Sequence, residues 1–172
     1  MASQPTRSDT ARSPHLYDLR SEWHLPAPVE DVWAVITDLS LPVGPLPWWP
    51  GCRLTAPLAS GSPPSLRTTT ARLEFRSGLG YRLRVDIQPR HLLAPHLLDA
   101  DAGGDLLGTG RLRLSPADGG RATVLRIEWR VRPVLPWMIR LSPVLAPLFA
   151  AAHGRVMKRG ELGLAARLLD GK

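Results

Sequence analysis

The sequence predicts an α+β fold that combines an antiparallel sheet of seven strands with a long C-terminal helix. Apolar and charged residues alternate along several segments joined by short turns, which is typical of an antiparallel sheet with one buried face. Towards the C-terminus this alternation gives way to apolar residues at helical spacing. The 172 residues are expected to form one domain.

The N-terminal part of the chain predicts a tail, a strand and a short helix. Residues 1–14 are polar, lack the apolar run of a secretory signal and are expected to form a disordered tail before a single domain spanning 15–172. Alternation over 17–25 predicts the first strand. Residues 28–38 have acidic residues near their start and apolar residues at helical spacing, so they predict a helix. The proline-rich segment 41–52, "LPVGPLPWWPGC", cannot continue that helix.

Six further strands are predicted after the proline-rich segment. They cover residues 52–58, 67–76, 80–88, 91–100, 105–114 and 125–132. Most arginines fall on the outward parity of these strands, among Glu74, Asp86 and Glu128, so pairs between strands would partly neutralise them. The net charge of +7 is therefore assigned to the outer face of the sheet, and no nucleic-acid partner is expected.

The C-terminal region predicts broken turns followed by a helix. Pro136, Pro143 and Pro147 are expected to divide residues 135–147 into short turns, and the helix is expected to run from Pro147 to about Leu169. Two glycines inside this helix, at positions 160 and 163, each cost about 1 kcal/mol relative to alanine. That cost is tolerable if they let a sheet approach closely.

Several classes of site and location are disfavoured. The single cysteine, Cys52, rules out an internal disulfide framework and is expected to be a small buried side chain. His91 and His96 would face opposite sides of one strand, so no metal site is expected. The segments "GLGYRL" and "GTGRLR" lack the third glycine and following helix of a dinucleotide-binding motif, so no cofactor is expected. No apolar run reaches the ~18–20 residues that a membrane-spanning helix needs, and a cytoplasmic location is expected.

Four segments, in their order and spacing, resemble a known superfamily over residues 15–170. They are "LPAPVEDVWAVITD", "LPWWPGC", "DLLGTGRLRLSPADGGRATVLRIEWRV" and "AAHGRVMKRGELGLAARL". They are similar to the SRPBCC or START-like superfamily, and in particular to its polyketide cyclase/dehydrase-like branch. The resemblance implies the helix-grip fold, with the sheet wrapped around the C-terminal helix and two short helices between strands 1 and 2. It also implies a cavity between sheet and helix.

The inward parity of the strands and one stripe of the helix are nearly all apolar, which suits a hydrophobic ligand of modest size. The alternative is that these side chains interdigitate and leave no cavity. Trp48 and Trp49 are expected either at the rim or wall of the pocket or as plugs of the core beneath it. The candidate ligand-binding residues are Trp48, Trp49, Phe75, Tyr81, Leu83, Ile127, Trp129, Phe149, His153 and Met157.

Three functional hypotheses follow. The first is binding of a hydrophobic small molecule such as a lipid, a polyketide or an isoprenoid. The second is a cyclase, aromatase or dehydratase, with His153 as the catalytic acid or base and Tyr81 as a hydrogen-bond donor; the alternative for His153 is a structural role. The third is a protein or membrane interaction module that uses the arginine-rich outer face or the Trp-Pro segment.

Overall fold

The structure, a computed structural model, describes residues 16–58, 65–77 and 80–171, and of residues 142–146 it describes the backbone alone. The predicted tail, residues 1–14, lies outside the described residues. The described chain is an α+β fold in which a curled antiparallel sheet faces a long C-terminal helix. The predicted class is therefore confirmed.

In the part of the chain that the structure describes, eight strands form one sheet, in which every strand pairs antiparallel with its neighbours in the order β1-β8-β7-β6-β5-β4-β3-β2. The strands are β1 (Tyr17–Leu25), β2 (Gly44–Pro45), β3 (Cys52–Leu54), β4 (Ala71–Arg76), β5 (Arg82–Leu93), β6 (Leu97–Gly104), β7 (Leu106–Ala117) and β8 (Ala122–Pro133). From β2 to β8 each strand pairs with the next one in the chain, which makes this part a meander. β1 pairs with β8, so the connection from β1 to β2 crosses from one edge of the sheet to the other.

The predicted alternation is confirmed on the outer face. In β8 the apolar residues Leu125 and Ile127 are buried, whereas the arginine between them is exposed. Ion pairs join neighbouring strands on that exposed face. Examples are Arg111 with Asp99 at 2.6 Å, Arg126 with Glu22 at 2.8 Å, Arg82 with Glu74 at 3.3 Å and Arg72 with Asp86 at 4.0 Å.

Two details of the predicted fold are wrong. The sheet has eight strands rather than seven, because Gly44–Pro45 adds a two-residue strand beside β3. The connection between β1 and β2, residues 26–43, is described throughout and contains one helix, α1 (Val29–Ile36), rather than two. After α1 the prolines remove the amide donors that a second helix would need, and the chain forms turns instead.

Strand boundaries also differ from the predictions. The segment predicted as a strand over 67–76 begins with a 3₁₀ turn, Leu66–Thr68, before β4. The segment predicted over 91–100 is divided, since β5 extends to Leu93 and a turn at 94–96 precedes β6. Leucines flank that turn on both sides, so hydrophobicity alone did not reveal it, although Pro95 within it cannot donate to a strand ladder.

The C-terminal helix, α2 (Pro136–Asp170), starts eleven residues earlier than predicted. Pro136 stands at the first helical position, where a missing amide proton costs nothing. On a straight helix the Cα atoms of Trp137 and Phe149 would lie about 18 Å apart. Their ring centroids are 6.2 Å apart, closer than the two side chains could bring them, so the helix bends between them. Pro143 and Pro147 lie in that interval and therefore bend the helix rather than end it.

Neither described α-helix is long and apolar enough to cross a membrane.

Candidate functional site

A cavity of about 280 Å³ lies between the inner face of the sheet and α2. Its wall is mostly aliphatic and aromatic, and every strand of the sheet except β2 contributes to it. The end of α1 and the connection after it complete one side through Ile36, Thr37, Asp38, Leu39 and Leu41, which are partly exposed to solvent. This volume is near the lower end of the range for small-molecule sites in proteins.

All ten residues predicted from the sequence to bind a ligand lie along this wall. They are Trp48, Trp49, Phe75, Tyr81, Leu83, Ile127, Trp129, Phe149, His153 and Met157. They come from the loop before β3, from strands β4, β5 and β8, from the residue before β5, and from α2. The structure places these side chains together, while their role in binding stays a prediction.

The two adjacent tryptophans lie on a tight loop that packs against α2. Backbone hydrogen bonds hold this loop, with the Leu46 amide donating to the Cys52 carbonyl at 3.0 Å and the Cys52 amide donating to the Trp49 carbonyl at 3.0 Å. The Trp49 indole Nε1 donates to the Val156 carbonyl of α2 at 3.0 Å. Trp48 is only 7% exposed and stacks on Trp49 with ring centroids 5.5 Å apart. Both rings are therefore parts of the wall and also of the adjoining core.

Two glycines of α2 make room for this loop. A Cβ atom at Gly160 would lie 2.6 Å from the Trp49 ring and 2.7 Å from the Trp23 ring. One at Gly163 would lie 2.2 Å from the carbonyl oxygen of Trp48. The expectation that these glycines allow a close approach is confirmed, although the approaching group is mainly the tryptophan loop, with Trp23 as the sheet's contribution.

An aromatic cluster closes the cavity near the start of α2. Its members are Tyr17, Tyr81, Trp137 and Phe149, and successive rings meet edge to face. The Tyr81 ring lies 5.3 Å from Trp137 and 6.2 Å from Phe149, and Tyr17 lies 6.5 Å from Phe149. Edge-to-face contacts of this kind add about 0.5–1.5 kcal/mol per pair beyond the area that they bury.

His153 stands one helical turn after Phe149, on the cavity wall. Burial lowers the pKa of its imidazole below the ordinary value, so the ring is neutral near pH 7. Its Nε2 atom has no hydrogen-bond partner among the described residues. The same holds, within the described chain, for the indole Nε1 atoms of Trp23 and Trp48. A cavity wall with three polar atoms left without partners is unusual, since buried polar groups are almost always paired.

Tyr81 supplies a hydroxyl group on the same wall. Burial raises the pKa of this phenol above its ordinary value. A hydrogen bond with Ser77 lowers the pKa in part, and the nearby Tyr17 hydroxyl raises it further. Tyr81 is therefore a protonated donor across the physiological range. Other polar side chains of the wall have hydrogen-bond partners. The Thr37 hydroxyl, for example, donates to the Trp33 carbonyl at 2.7 Å.

Neither the cysteine nor the histidine pair forms a reactive or metal-binding group in the part of the chain that the structure describes. Burial raises the pKa of Cys52 to about 12, so its thiol is protonated. His91 lies on β5 and His96 in the turn after it, where its Nδ1 lies 3.4 Å from the Leu114 carbonyl. Among the described residues no group of three or more potential ligands could hold a metal ion.

Sequence reasoning missed two parts of the wall. Thr37, Asp38, Leu39 and Leu41 follow α1 in a connection without periodicity, so no pattern marked them as cavity-facing. Met138 was missed because its segment was predicted as turns, although it is the first residue of α2 to reach the wall. The prolines around it hid the helical spacing that would have revealed it.

No protein-family model matches the sequence, and no curated protein does. Solved structures match the fold over most of its length. One from Thermus thermophilus has 18% identity and a TM-score of 0.69 over 91% of this chain and 99% of its own. An aromatase/cyclase from a Streptomyces species has 14% identity and a TM-score of 0.65 over 90% and 94%. A START superfamily protein from Mycobacterium smegmatis has 16% identity and a TM-score of 0.58 over 92% and 99%. These similarities show that the chain has the START-like, helix-grip fold predicted from its sequence.

Proposed function

We propose that this protein binds a hydrophobic small molecule, of lipid, polyketide or isoprenoid type, in the cavity between the sheet and α2. The observation that carries the proposal is a 280 Å³ space whose wall is almost entirely apolar. Water gains few hydrogen bonds in such a space, whereas an apolar guest loses its unfavourable contact with water there.

The energetic cost of the space supports a functional reason for it. Residual cavities in protein cores cost about 24 cal/mol per Å³, so a closed void of 280 Å³ would cost about 7 kcal/mol. That is comparable to the whole stability of a typical domain. Larger side chains at wall positions such as Ala152 would remove most of this cost, so the space is expected to be filled by a ligand.

The polar atoms of the wall indicate how a ligand would be oriented. The Tyr81 hydroxyl is protonated and can donate to a ligand. The unpartnered indole Nε1 atoms of Trp23 and Trp48 are also donors only, but they are fully buried as the chain stands. No wall residue described by the structure is acidic except Asp38, whose carboxylate accepts hydrogen bonds from the Ser40 amide at 2.8 Å and hydroxyl at 2.7 Å. A neutral ligand, or one with a carbonyl, hydroxyl or carboxyl oxygen, would fit this arrangement better than a cationic amine.

The test uses aminoanthracene, a neutral probe whose fluorescence rises in apolar surroundings. We expect saturable binding to the wild type and at least tenfold weaker binding to Ala152→Phe, whose new ring would occupy the cavity. The control is Ala151→Phe, which places the same side chain on the exposed side of α2. Ala152→Leu serves if the larger substitution unfolds the protein. Equal binding to the wild type, the cavity variants and the control would refute the proposal.

A second candidate function is catalysis of cyclisation or dehydration on a ligand in the same cavity. The observation that favours it is the neutral, buried His153, whose Nε2 has no described partner, on the wall that also holds the protonated Tyr81. A neutral imidazole can accept a proton from a carbon beside a ketone, and a phenol can stabilise the resulting enolate oxygen. His153→Gln should then abolish turnover of a poly-β-ketone substrate while leaving aminoanthracene binding intact. Undiminished turnover would exclude His153 from the chemistry.

A further inference from the structure

The first half of α2 presents large apolar side chains to solvent. Trp137 is 39% exposed, Leu141 is 44% exposed and Leu148 is 40% exposed. Next to them in sequence, Met138 and Phe149 are buried and hold the helix against the body of the protein. Single exposed leucines are common on protein surfaces, but three large apolar residues on one helical segment, including a tryptophan, mark an interaction surface. We call Trp137, Leu141 and Leu148 the apolar ridge.

The stretch of sequence that carries the apolar ridge has only basic charged residues. Residues 129–160 contain no aspartate or glutamate. They contain six basic residues, which are Arg130, Arg132, Arg140, Arg155, Lys158 and Arg159, and all six are exposed. Arg130 and Lys158 pair with Asp18 and Glu161. Of the other four, Arg132 lies on the outer face of β8, whereas Arg140, Arg155 and Arg159 lie on α2, and none of them forms an ion pair with a residue that the structure describes.

The apolar ridge is separated from the cavity by one layer of aromatic rings. Trp137 packs directly on Tyr81 and Phe149, and both of these line the cavity. The bend of α2 at Pro143 and Pro147 lies between the first and last members of the ridge. The surface is therefore distinct from the two that the sequence suggested. The Trp-Pro segment is packed against α2, and the arginines of the outer sheet face are largely paired with carboxylates.

We propose that the apolar ridge and its unpaired arginines dock the protein onto the surface of an anionic lipid bilayer. Tryptophan and leucine side chains insert at the boundary between headgroups and acyl chains, while arginines stay at the level of the phosphates. An uncompensated run of basic charge complements a sheet of lipid phosphates, and each basic residue near such a surface strengthens binding about fivefold. The inference concerns a surface outside the cavity and does not depend on what the cavity binds.

The experiment measures co-sedimentation of the full chain with vesicles of two compositions. One is phosphatidylcholine alone, and the other is three parts phosphatidylcholine to one part phosphatidylglycerol. We expect binding to the anionic vesicles, weakened by added salt, and little binding to the neutral ones. Arg140→Gln should weaken the binding about fivefold and Leu141→Gln about tenfold.

The matched control is Leu162→Gln, because Leu162 is 60% exposed on the far half of the same helix. It should bind like the wild type, and all variants should show the wild-type thermal midpoint, since each replaces an exposed side chain. Absence of binding to anionic vesicles, or equal weakening by Leu162→Gln, would overturn the proposal. Self-association of the free protein that Leu141→Gln abolishes would also overturn it, by showing that the ridge meets a second copy of the chain.

Discussion

Alanine substitutions at two glycines of α2 should have opposite effects on stability. At Gly154 a Cβ atom would meet nothing within 4 Å, so alanine should gain its helix-propensity advantage of about 1 kcal/mol. At Gly163 the same atom would lie 2.2 Å from the Trp48 carbonyl oxygen and 3.0 Å from Pro50 Cδ. Carbon and oxygen atoms that are not bonded rarely approach below about 3.2 Å, so the loop would have to move by about 1 Å.

The loop has little freedom to move, because backbone hydrogen bonds within it and the bond from Trp49 to Val156 fix its position. Overpacking a fitted contact costs about 1–3 kcal/mol, and this contact involves backbone rather than a flexible side chain. Because backbone cannot rotate away, the upper part of that range, about 2–3 kcal/mol, applies here, and subtracting the propensity gain leaves Gly163→Ala destabilised by about 1–2 kcal/mol. The two variants should therefore differ by about 2–3 kcal/mol.

Thermal and urea unfolding, followed by circular dichroism, give the measurement. For a chain of this size 1 kcal/mol corresponds to about 2–4 °C in Tm, so Gly154→Ala should raise Tm by about 3 °C and Gly163→Ala should lower it by a similar amount. If Gly163→Ala were as stable as Gly154→Ala, the packing of the tryptophan loop on α2 would be refuted.

Three further predictions concern individual side chains. Trp49→Phe removes the hydrogen bond to the Val156 carbonyl and should cost about 1 kcal/mol in urea unfolding; an unchanged midpoint would show that this bond contributes nothing. Cys52, with its thiol held protonated by burial, should resist a thiol reagent at neutral pH until the protein is unfolded in urea, and rapid labelling of the folded protein would contradict its burial. The pKa of His153 is lowered in the folded state, so below about pH 6.5 the unfolded chain takes up a proton that the folded chain does not. Stability should fall as the pH drops through that range, and His153→Gln should lose part of this slope. An identical slope in the variant would exclude His153 as its source.

The sheet was largely predictable because its signal is local. In β1 and β8 nearly every second residue is apolar, with Ser21 and Thr123 as exceptions, and burial on one face requires that spacing whatever the rest of the chain does. The two-residue strand Gly44–Pro45 could not be predicted in this way, because two residues carry no period. It exists because the chain passes beside β3, and that path depends on how the whole domain packs.

The start of α2 was predicted wrongly for a related reason. Proline weakens a helix locally by about 3 kcal/mol, so the sequence around Pro143 and Pro147 predicts turns rather than a helix. Burial of Met138 and Phe149 against the sheet stabilises the segment on both sides of the bend. Such long-range packing outweighs the local cost, and the sequence alone does not reveal it.

The residues of the cavity wall were predictable, whereas the cavity itself was not. Inward parity identifies Phe75, Ile127 and Trp129 as facing the helix, but the same pattern would serve a solidly packed core. The difference depends on how closely α2 approaches the sheet. That distance is set by contacts such as those of Gly160 and Gly163 with the tryptophan loop, which involve residues more than a hundred positions apart.

The most direct test of the cavity is a crystal structure determined under xenon pressure. Apolar cavities of this kind take up xenon, whereas close-packed cores do not. We expect xenon density between the sheet and α2, in contact with Ile127 and Met157, and loss of that density in Ala152→Phe. A wild-type crystal without xenon at this position, with the side chains of the two layers in van der Waals contact, would contradict the proposed binding function and its catalytic alternative together.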